Sequence, residues 1–239
     1  MGNSLLIYLN KRLSEERQVK KNLLVAGPVI TISREVGCNG LKLARLIAAR
    51  LNTYKSDAEW RVLSKEVFYE SARELNMEPE KLKKTFKQSD KYTFEEILKA
   101  FNDKEYKSER KIVHTVYDVI HSFAVDGYCI IVGRAGHIIA KDIKNALHIR
   151  LVAPMEYRLT NIMQNNQLNR EEAIKFINKI ENERMAFRKM ISNDDVKSEL
   201  FDICVNRAMF DDNEIVDLIE YAVNKKKIIQ PHKPQVDFF

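Results

Sequence analysis

Apolar residues along this chain fall into short continuous runs separated by longer stretches of helical spacing. Val29-Ile30-Thr31-Ile32 is continuous and β-branched, the pattern of a strand buried on both faces of a parallel sheet. Cys129-Ile130-Ile131-Val132 is a second such run, entered from Asp126-Gly127 and left through Gly133-Arg134-Ala135-Gly136. Leu147 to Val152 and Phe201 to Val205 extend the core to at least four strands. Helical patterns fill the intervals. Leu43, Leu46, Ile47 and Leu51 share one face after the first strand. Pro154 precedes another helix, with Met155, Leu159, Ile162 and Met163 inward. Asn169-Arg170-Glu171-Glu172 has the spacing of a capping residue followed by Glu, and starts a third helix through Ile174, Ile177 and Ile180 toward Met190. Asp212 is the expected cap of the last, whose apolar stripe is Ile215, Ile219, Ala222 and Val223. This alternation predicts an α/β doubly wound parallel sheet with flanking helices.

Glycine placement marks the boundaries. After Gly2 the glycines are Gly27, Gly37, Gly40, Gly127, Gly133 and Gly136, and they bracket the first two strands. Between Gly40 and Gly127 the only proline is Pro79, at a helix-start position, so this segment reads as a helical insertion. Residues 1–26 read as a separate amphipathic helix, with Leu5, Leu6, Leu9 and Leu13 on one side; it is a brace or a homodimer contact. Residues 27–224 then form one domain, and 225–239, with Pro231 and Pro234, a loose tail.

Composition narrows the class. With 239 residues, 45% hydrophobic and 31% charged, the chain has the balance of a soluble enzyme with one core and a smaller insertion. No apolar run approaches the roughly 20 residues that span a bilayer. Asn10-Lys11-Arg12 interrupts the stretch from Leu5 to Leu9 too early for a signal peptide, so a cytoplasmic location is expected. The net charge of +6 raises nucleic acid as a partner. Lysines are interleaved with acids throughout, however, and a pocket for a polyanion also accounts for excess cations; a basic nucleic-acid-interaction protein is the lesser alternative. Cys38, Cys129 and Cys204 are far apart and form no C-x-x-C pair, which argues against a disulfide framework or zinc site. Cys129 and Cys204 are expected as buried filler. The five histidines show no ligand spacing.

The chemistry gathers where the first strand ends. Ser33-Arg34-Glu35-Val36-Gly37-Cys38-Asn39-Gly40 runs from strand to helix, the layout of a phosphate-binding loop without its lysine. In the usual G-x-x-x-x-G-K-[ST] loop the backbone amides cradle the phosphates, the lysine reaches the β and γ phosphates, and the hydroxyl holds Mg²⁺. With Gly40 as the second glycine, Leu41 stands where lysine belongs and Lys42 where the hydroxyl belongs; with Asn39 in the glycine place, Gly40 replaces the lysine. Lys42 and Lys65 are the available ammonium groups, Lys42 being the nearer, with a helix-surface role as its other reading. Ser33, Gly37, Cys38, Asn39 and Gly40 are candidate phosphate contacts, and Arg34 either touches phosphate or pairs with Glu35. Arg134 leaves the carboxyl end of a central strand between two glycines, where open sheets bind ligands. Arg184 and Arg188 lie four apart and project from one helix face, as a lid over phosphates or as a solvated charged face. Arg158 reaches the cleft from behind or lies on the surface. Asn206 is the candidate for a base contact in the Asn206-Arg207 turn. Glu35 and Asp202 are weak candidates for metal contact, and the metal ligands stay unknown.

Ile30-Thr31-Ile32-Ser33-Arg34-Glu35-Val36-Gly37-Cys38 followed by a helix, with Ile130-Ile131-Val132-Gly133-Arg134 and Ala153-Pro154-Met155-Glu156-Tyr157-Arg158, resembles the cytidylate kinase-like family of bacterial proteins from about Gly27 to Val223. Ser64-Lys65-Glu66-Val67, Glu183-Arg184 and Phe201-Asp202-Ile203-Cys204-Val205-Asn206 follow in the family's order. The resemblance implies a P-loop NTPase fold of the nucleoside monophosphate kinase type. ATP and Mg²⁺ are the implied cofactors and CMP or dCMP the acceptor. A substrate-binding helical insertion is implied at about 55–125 and a lid helix at about 169–190. The resemblance puts Arg134 on the Gly-Arg motif that holds the acceptor monophosphate, and it supports Arg184 more than Arg188. The loop lysine is missing, no Asp follows the second strand directly, and Ser64 stands where many relatives carry Asp. The expected function is ATP-dependent phosphoryl transfer to a nucleoside monophosphate or related small acceptor. The alternative is a catalytically weak nucleotide-binding regulatory protein with a degenerate loop.

Overall fold

The computed structural model describes residues 26–54, 56, 58–64, 109–192 and 198–229. The expected N-terminal helix, most of the helical insertion, Lys65 and most of the C-terminal tail lie outside the described residues.

Five parallel strands form one sheet: β1 (Val29–Arg34), β2 (Arg61–Leu63), β3 (Cys129–Val132), β4 (Ala146–Val152) and β5 (Ile203–Asn206), in the order β2-β3-β1-β4-β5. The continuous apolar runs seen in the sequence become β1, β3, β4 and β5. β1 is central, pairing with β3 from Val29↔Cys129 to Ile32↔Val132 and with β4 from Val29↔Ala146 to Arg34↔Leu151. Its last residue is therefore still held in the sheet. β2 was not among the expected strands, because three residues starting with Arg61 are too short to show a period; pairing of Arg61 to Leu63 with Cys129 to Ile131 recruits them.

The helices are α1 (Gly40–Leu51), α2 (Glu109–Asp126), α3 (Gly136–Ile139), α4 (Met155–Asn166), α5 (Arg170–Ile191) and α6 (Asp212–Lys225). On one face of the sheet Ile30, Ile32, Ile130, Val132, Leu147, Ile149 and Leu151 pack with Leu43, Ile47 and Leu51 of α1 and Ile215, Ile219 and Val223 of α6. The opposite face, with Val29, Cys129, Ile131 and Ala146, meets Val116, Ile120 and Phe123 of α2 and Ile138 and Ile139 of α3. Along β1 and β4 this second face turns polar, with Thr31 and Ser33 beside His148 and Arg150. Thr31 Oγ1 lies 2.7 Å from His148 Nδ1, and Arg150 Nη1 donates to Ser33 Oγ at 3.3 Å. A third cluster joins Leu159 and Ile162 of α4, Ala173, Ile177 and Ile180 of α5, and Val36 of the loop after β1.

Two local expectations shift. α5 starts with the expected box, Asn169 accepting from the Glu172 amide and Glu172 from the Asn169 amide. α6, however, is capped by Asp211 and not by Asp212, because Glu214 stands three residues after Asp211 and completes a reciprocal box. Asp212 is thereby free for other partners. Cys204 is exposed, unlike buried Cys129, because among the described residues β5 is an edge strand with β4 as its one neighbour.

Ile32 is fully buried between the central strands and α1. Ile32→Ala is expected to cost about 2–5 kcal/mol of folding stability, read as a lower urea midpoint with little change in slope.

Candidate functional site

β1 ends at Arg34 and α1 starts at Gly40, so Glu35 to Asn39 must make the whole turn. Side chains from three other segments hold this short loop. The Val36 amide donates to Glu181 Oε1 at 2.7 Å, Asn161 Nδ2 donates to the Gly37 carbonyl at 2.9 Å, and Arg207 Nε donates to the Cys38 carbonyl at 3.3 Å. Glu35 Oε2 in turn accepts from the Ala153 amide at 3.0 Å. Gly37 has φ +95°, and a Cβ there would lie 2.7 Å from the Arg158 carbonyl oxygen; only glycine lets the loop pass α4 this closely. Asn39, at φ +49°, precedes α1 without capping it through its side chain. The first turn of α1 thus keeps its amide dipoles for an anion. Cys38 points into the core, where burial, followed by Glu35, pushes its thiol up to about 11. It stays a thiol at neutral pH and contributes backbone, not nucleophilic chemistry.

Arginines converge on the carboxyl ends of β1 and β3. The Arg34 stem runs across Gly40, where a Cβ would lie 3.2 Å from Arg34 Cγ. Its guanidinium ends against Gly133, where a Cβ would lie 2.7 Å from Cζ and overlap Nη1. Gly133, Arg134 and Ala135 all have positive φ, +74°, +54° and +53°. For the two non-glycine residues this costs of order 1 kcal/mol each, and the turn is held by Gly133 N donating to Ile32 O and Gly136 N to Gly133 O, both at 2.9 Å. From α5, Arg184 Nη1 donates to the Arg34 carbonyl at 3.0 Å, and Arg188 follows one turn later. Burial, then Arg184 and Arg134, hold Arg34 well below the ordinary arginine range. Burial, then Arg184, lowers Arg134 to about 9. Arg184 and Arg188 are also lowered, by burial first, with Glu181 opposing. These depressions record guanidinia brought close together in a largely buried place, a setting that favours an anion.

The other expected site residues are placed as follows. Lys42 Nζ lies 2.8 Å from Asp212 with its side chain 69% exposed; Asp212 also accepts from Arg207 Nη2 at 2.5 Å. Lys42 thus bridges α1 to α6 on the surface and does not turn into the loop. Arg158 sits between Glu35 at 3.7 Å and Glu181 at 3.6 Å, bracing the acids that hold the loop. Ser33 is taken up by Arg150. Asn206 Oδ1 accepts from the Ala208 amide at 3.0 Å, folding the turn after β5 beside the loop. Asp202 lies at the amino end of β5, away from the loop, with its carboxylate on the His148 amide and on Lys226 Nζ at 2.6 Å. Sequence reasoning did not single out Glu181, Asn161 or Arg150. Glu181, Arg184 and Arg188 fall on one helical face, and Arg150, with His148, interrupts an apolar strand run, so two of these three carried a signal.

His137, just after the Arg134 turn, is buried against Phe201, with ring centroids 4.8 Å apart. Burial, then His148, Arg188 and Arg150, lowers it from 6.5 to about 3. The unfolded chain takes up this proton near pH 6.5 while the folded chain resists it to about pH 3. Its contribution is therefore fully present above about pH 6.5 and lost as pH falls toward 3. His137→Phe is expected to flatten this part of the melting temperature against pH, with the His148 contribution, lowered in the same direction, remaining.

A sequence profile of the cytidylate kinase-like family matches residues 29–208. No curated protein matches the chain. Among solved structures, an uncharacterized protein from Eubacterium ventriosum superposes with TM-score 0.59 at 18% identity, covering 82% of this chain and 98% of its own. Shikimate kinase from Acinetobacter baumannii in complex with shikimate gives TM-score 0.45 at 14% identity, over 84% and 95% of the two chains. Shikimate kinase from Bacteroides thetaiotaomicron gives 0.47 at 9%, over 82% and 98%.

Proposed function

This chain belongs to the cytidylate kinase-like family, and on that premise we propose that it transfers a phosphoryl group from ATP to a nucleoside monophosphate of the CMP or dCMP type, or to a related small phosphorylated acceptor. The observation that carries this reading is the convergence of Arg34, Arg134, Arg184 and Arg188, with pKa values lowered by burial first and then by neighbouring arginines. Phosphoryl transfer asks little covalent chemistry of the protein and depends on positioning and positive charge. In the step itself, an oxygen of the acceptor phosphate forms the new P–O bond while the bond between the γ-phosphorus and its bridging oxygen breaks. That oxygen leaves with the electron pair on the diphosphate. The loop amides and α1 dipole favour the donor phosphates, and Arg134 favours the acceptor phosphate. Arg184 and Arg188 on α5 approach from the lid side, and the left-handed backbone at Arg134 fixes its aim without reorganisation during the reaction.

The family also implies Mg²⁺. Among the described residues no group of three His, Cys, Asp or Glu side chains is placed to hold a metal, and Glu35 and Glu181 are engaged by the Ala153 and Val36 amides. These acids do not fit a protein-held ion, and the step above uses none. One observation favours a second reading, a weakly catalytic nucleotide-binding regulator: Lys42 is tied to Asp212 and supplies no loop ammonium.

Labelled ATP offered with a panel of nucleoside monophosphates separates the readings. Transfer to one acceptor is expected, reduced about 10²-fold or more in kcat/KM by Arg134→Ala. Nucleotide binding without transfer supports the regulatory reading, and absence of both removes the two together.

A further inference from the structure

We propose that Arg34, from the end of β1, takes the place of the missing loop lysine and holds the terminal phosphates of the bound nucleoside triphosphate. This rests on the nucleotide-binding reading of the same cleft and names the group that makes the loop competent.

The argument begins with space. In the register where Asn39 takes the second glycine place, the lysine position is Gly40. A Cβ at Gly40 would come 3.2 Å from Arg34 Cγ and 3.4 Å from Cδ. The stem of Arg34 therefore crowds the direction in which a lysine stem would start. Glycine at position 40 leaves that path its full room. The guanidinium then ends against Gly133, where any side chain would meet Cζ and Nη1. Both glycines along the route are explained by one side chain, and the route leads from the first turn of α1 to the Gly133-Arg134 turn. A charge there lies between the donor side of the cleft, marked by the α1 amides, and the acceptor side, marked by Arg134.

The mounting is rigid. Arg34 is the last paired residue of β1, opposite Leu151, and the next amide, Glu35 N, donates to the Leu151 carbonyl at 3.0 Å. Its own carbonyl accepts from Arg184 Nη1 at 3.0 Å. A lysine in the usual loop delivers a point charge from a flexible stem. An arginine on a paired strand delivers a planar fork of donors suited to two phosphate oxygens at once. Local electrostatics agree with a binding role over a structural one, since the described cations facing the Arg34 guanidinium are Arg184, Arg134 and Arg188, and Glu181 opposes them. A guanidinium kept for stability alone would be placed among acids.

That last point gives the test a readout that a structural arginine would not produce. Full-length wild type, Arg34→Met and Arg34→Lys are titrated calorimetrically with ATP and with sodium tripolyphosphate, and their melting temperatures are recorded without ligand. Arg34→Met is expected to weaken both ligands by about 10- to 100-fold while melting at the same temperature as wild type or higher, because like-charge repulsion is relieved. Arg34→Lys is expected to recover part of the affinity. If Arg34→Met binds both ligands as wild type does, the inference is wrong and the nucleotide reading stands. If Arg34→Met melts lower and Arg34→Lys restores neither stability nor affinity, Arg34 is a structural brace and the inference is likewise wrong. Wild type that binds neither ligand overturns the nucleotide reading and this inference with it.

Discussion

The structure depends on how the chain leaves its central strand. β1 is paired with β3 up to Ile32 and with β4 up to Arg34, and a short loop must then reach the start of α1. Such a segment satisfies few of its own backbone groups, Cys38 N donating to Glu35 O being one case, and unpaired buried amides and carbonyls are costly. Glu181 from α5, Asn161 from α4 and Arg207 from the turn after β5 supply those partners, while Val36 anchors the α4–α5 apolar cluster. Elements distant in sequence are thereby fixed around one loop. The same contacts that stabilise the turn bring Arg184 and Arg188 to it, so the packing of the hairpin and the assembly of the cationic cleft are one event.

This arrangement also explains the division of labour among the charged residues. Arg158, Arg207 and Lys42 have carboxylate partners and join elements together. Arg34, Arg134, Arg184 and Arg188 gather within electrostatic reach of their neighbours, with Glu181 opposing at three of them. The first group resembles the paired cations that line many α/β packings. The second sits at the carboxyl edge of the parallel strands, where open sheets bind ligands. Polarity along the strands follows the same logic: the face with Ile30 and Ile32 is apolar until Arg34 ends it, while the face with Thr31 and Ser33 turns polar toward the cleft and carries Arg150 on its neighbour.

Much of this was legible in the sequence. The continuous apolar runs marked β1 and β3 because strands buried on both faces cannot alternate, and apolar runs also marked β4 and β5, although these are buried only in part. The glycines marked the turns, and Arg134 stood out by its position between two of them. What sequence could not supply was the outcome of packing. Whether Lys42 faces the loop depends on α6 lying against α1, with Asp212 released by a cap one residue earlier. Arg34 was legible as an arginine entering the loop, with phosphate and Glu35 both open as partners; the actual partner of Glu35 is Arg158, and the course of Arg34 over Gly40 emerges only in three dimensions. β2 was too short to carry a pattern, and the exposure of Cys204 follows from its edge position, which a run of apolar neighbours does not reveal.

The crowded guanidinia bear on the lifetime of the protein as well as on its chemistry. A ligand that binds only the folded chain stabilises it in proportion to the logarithm of its free concentration over its dissociation constant. On the reading proposed above, a phosphorylated ligand in this cleft would act as a folding partner. The abundance of the protein would then follow the supply of that ligand: its depletion would expose more of the chain to proteases, and its plenty would shelter it.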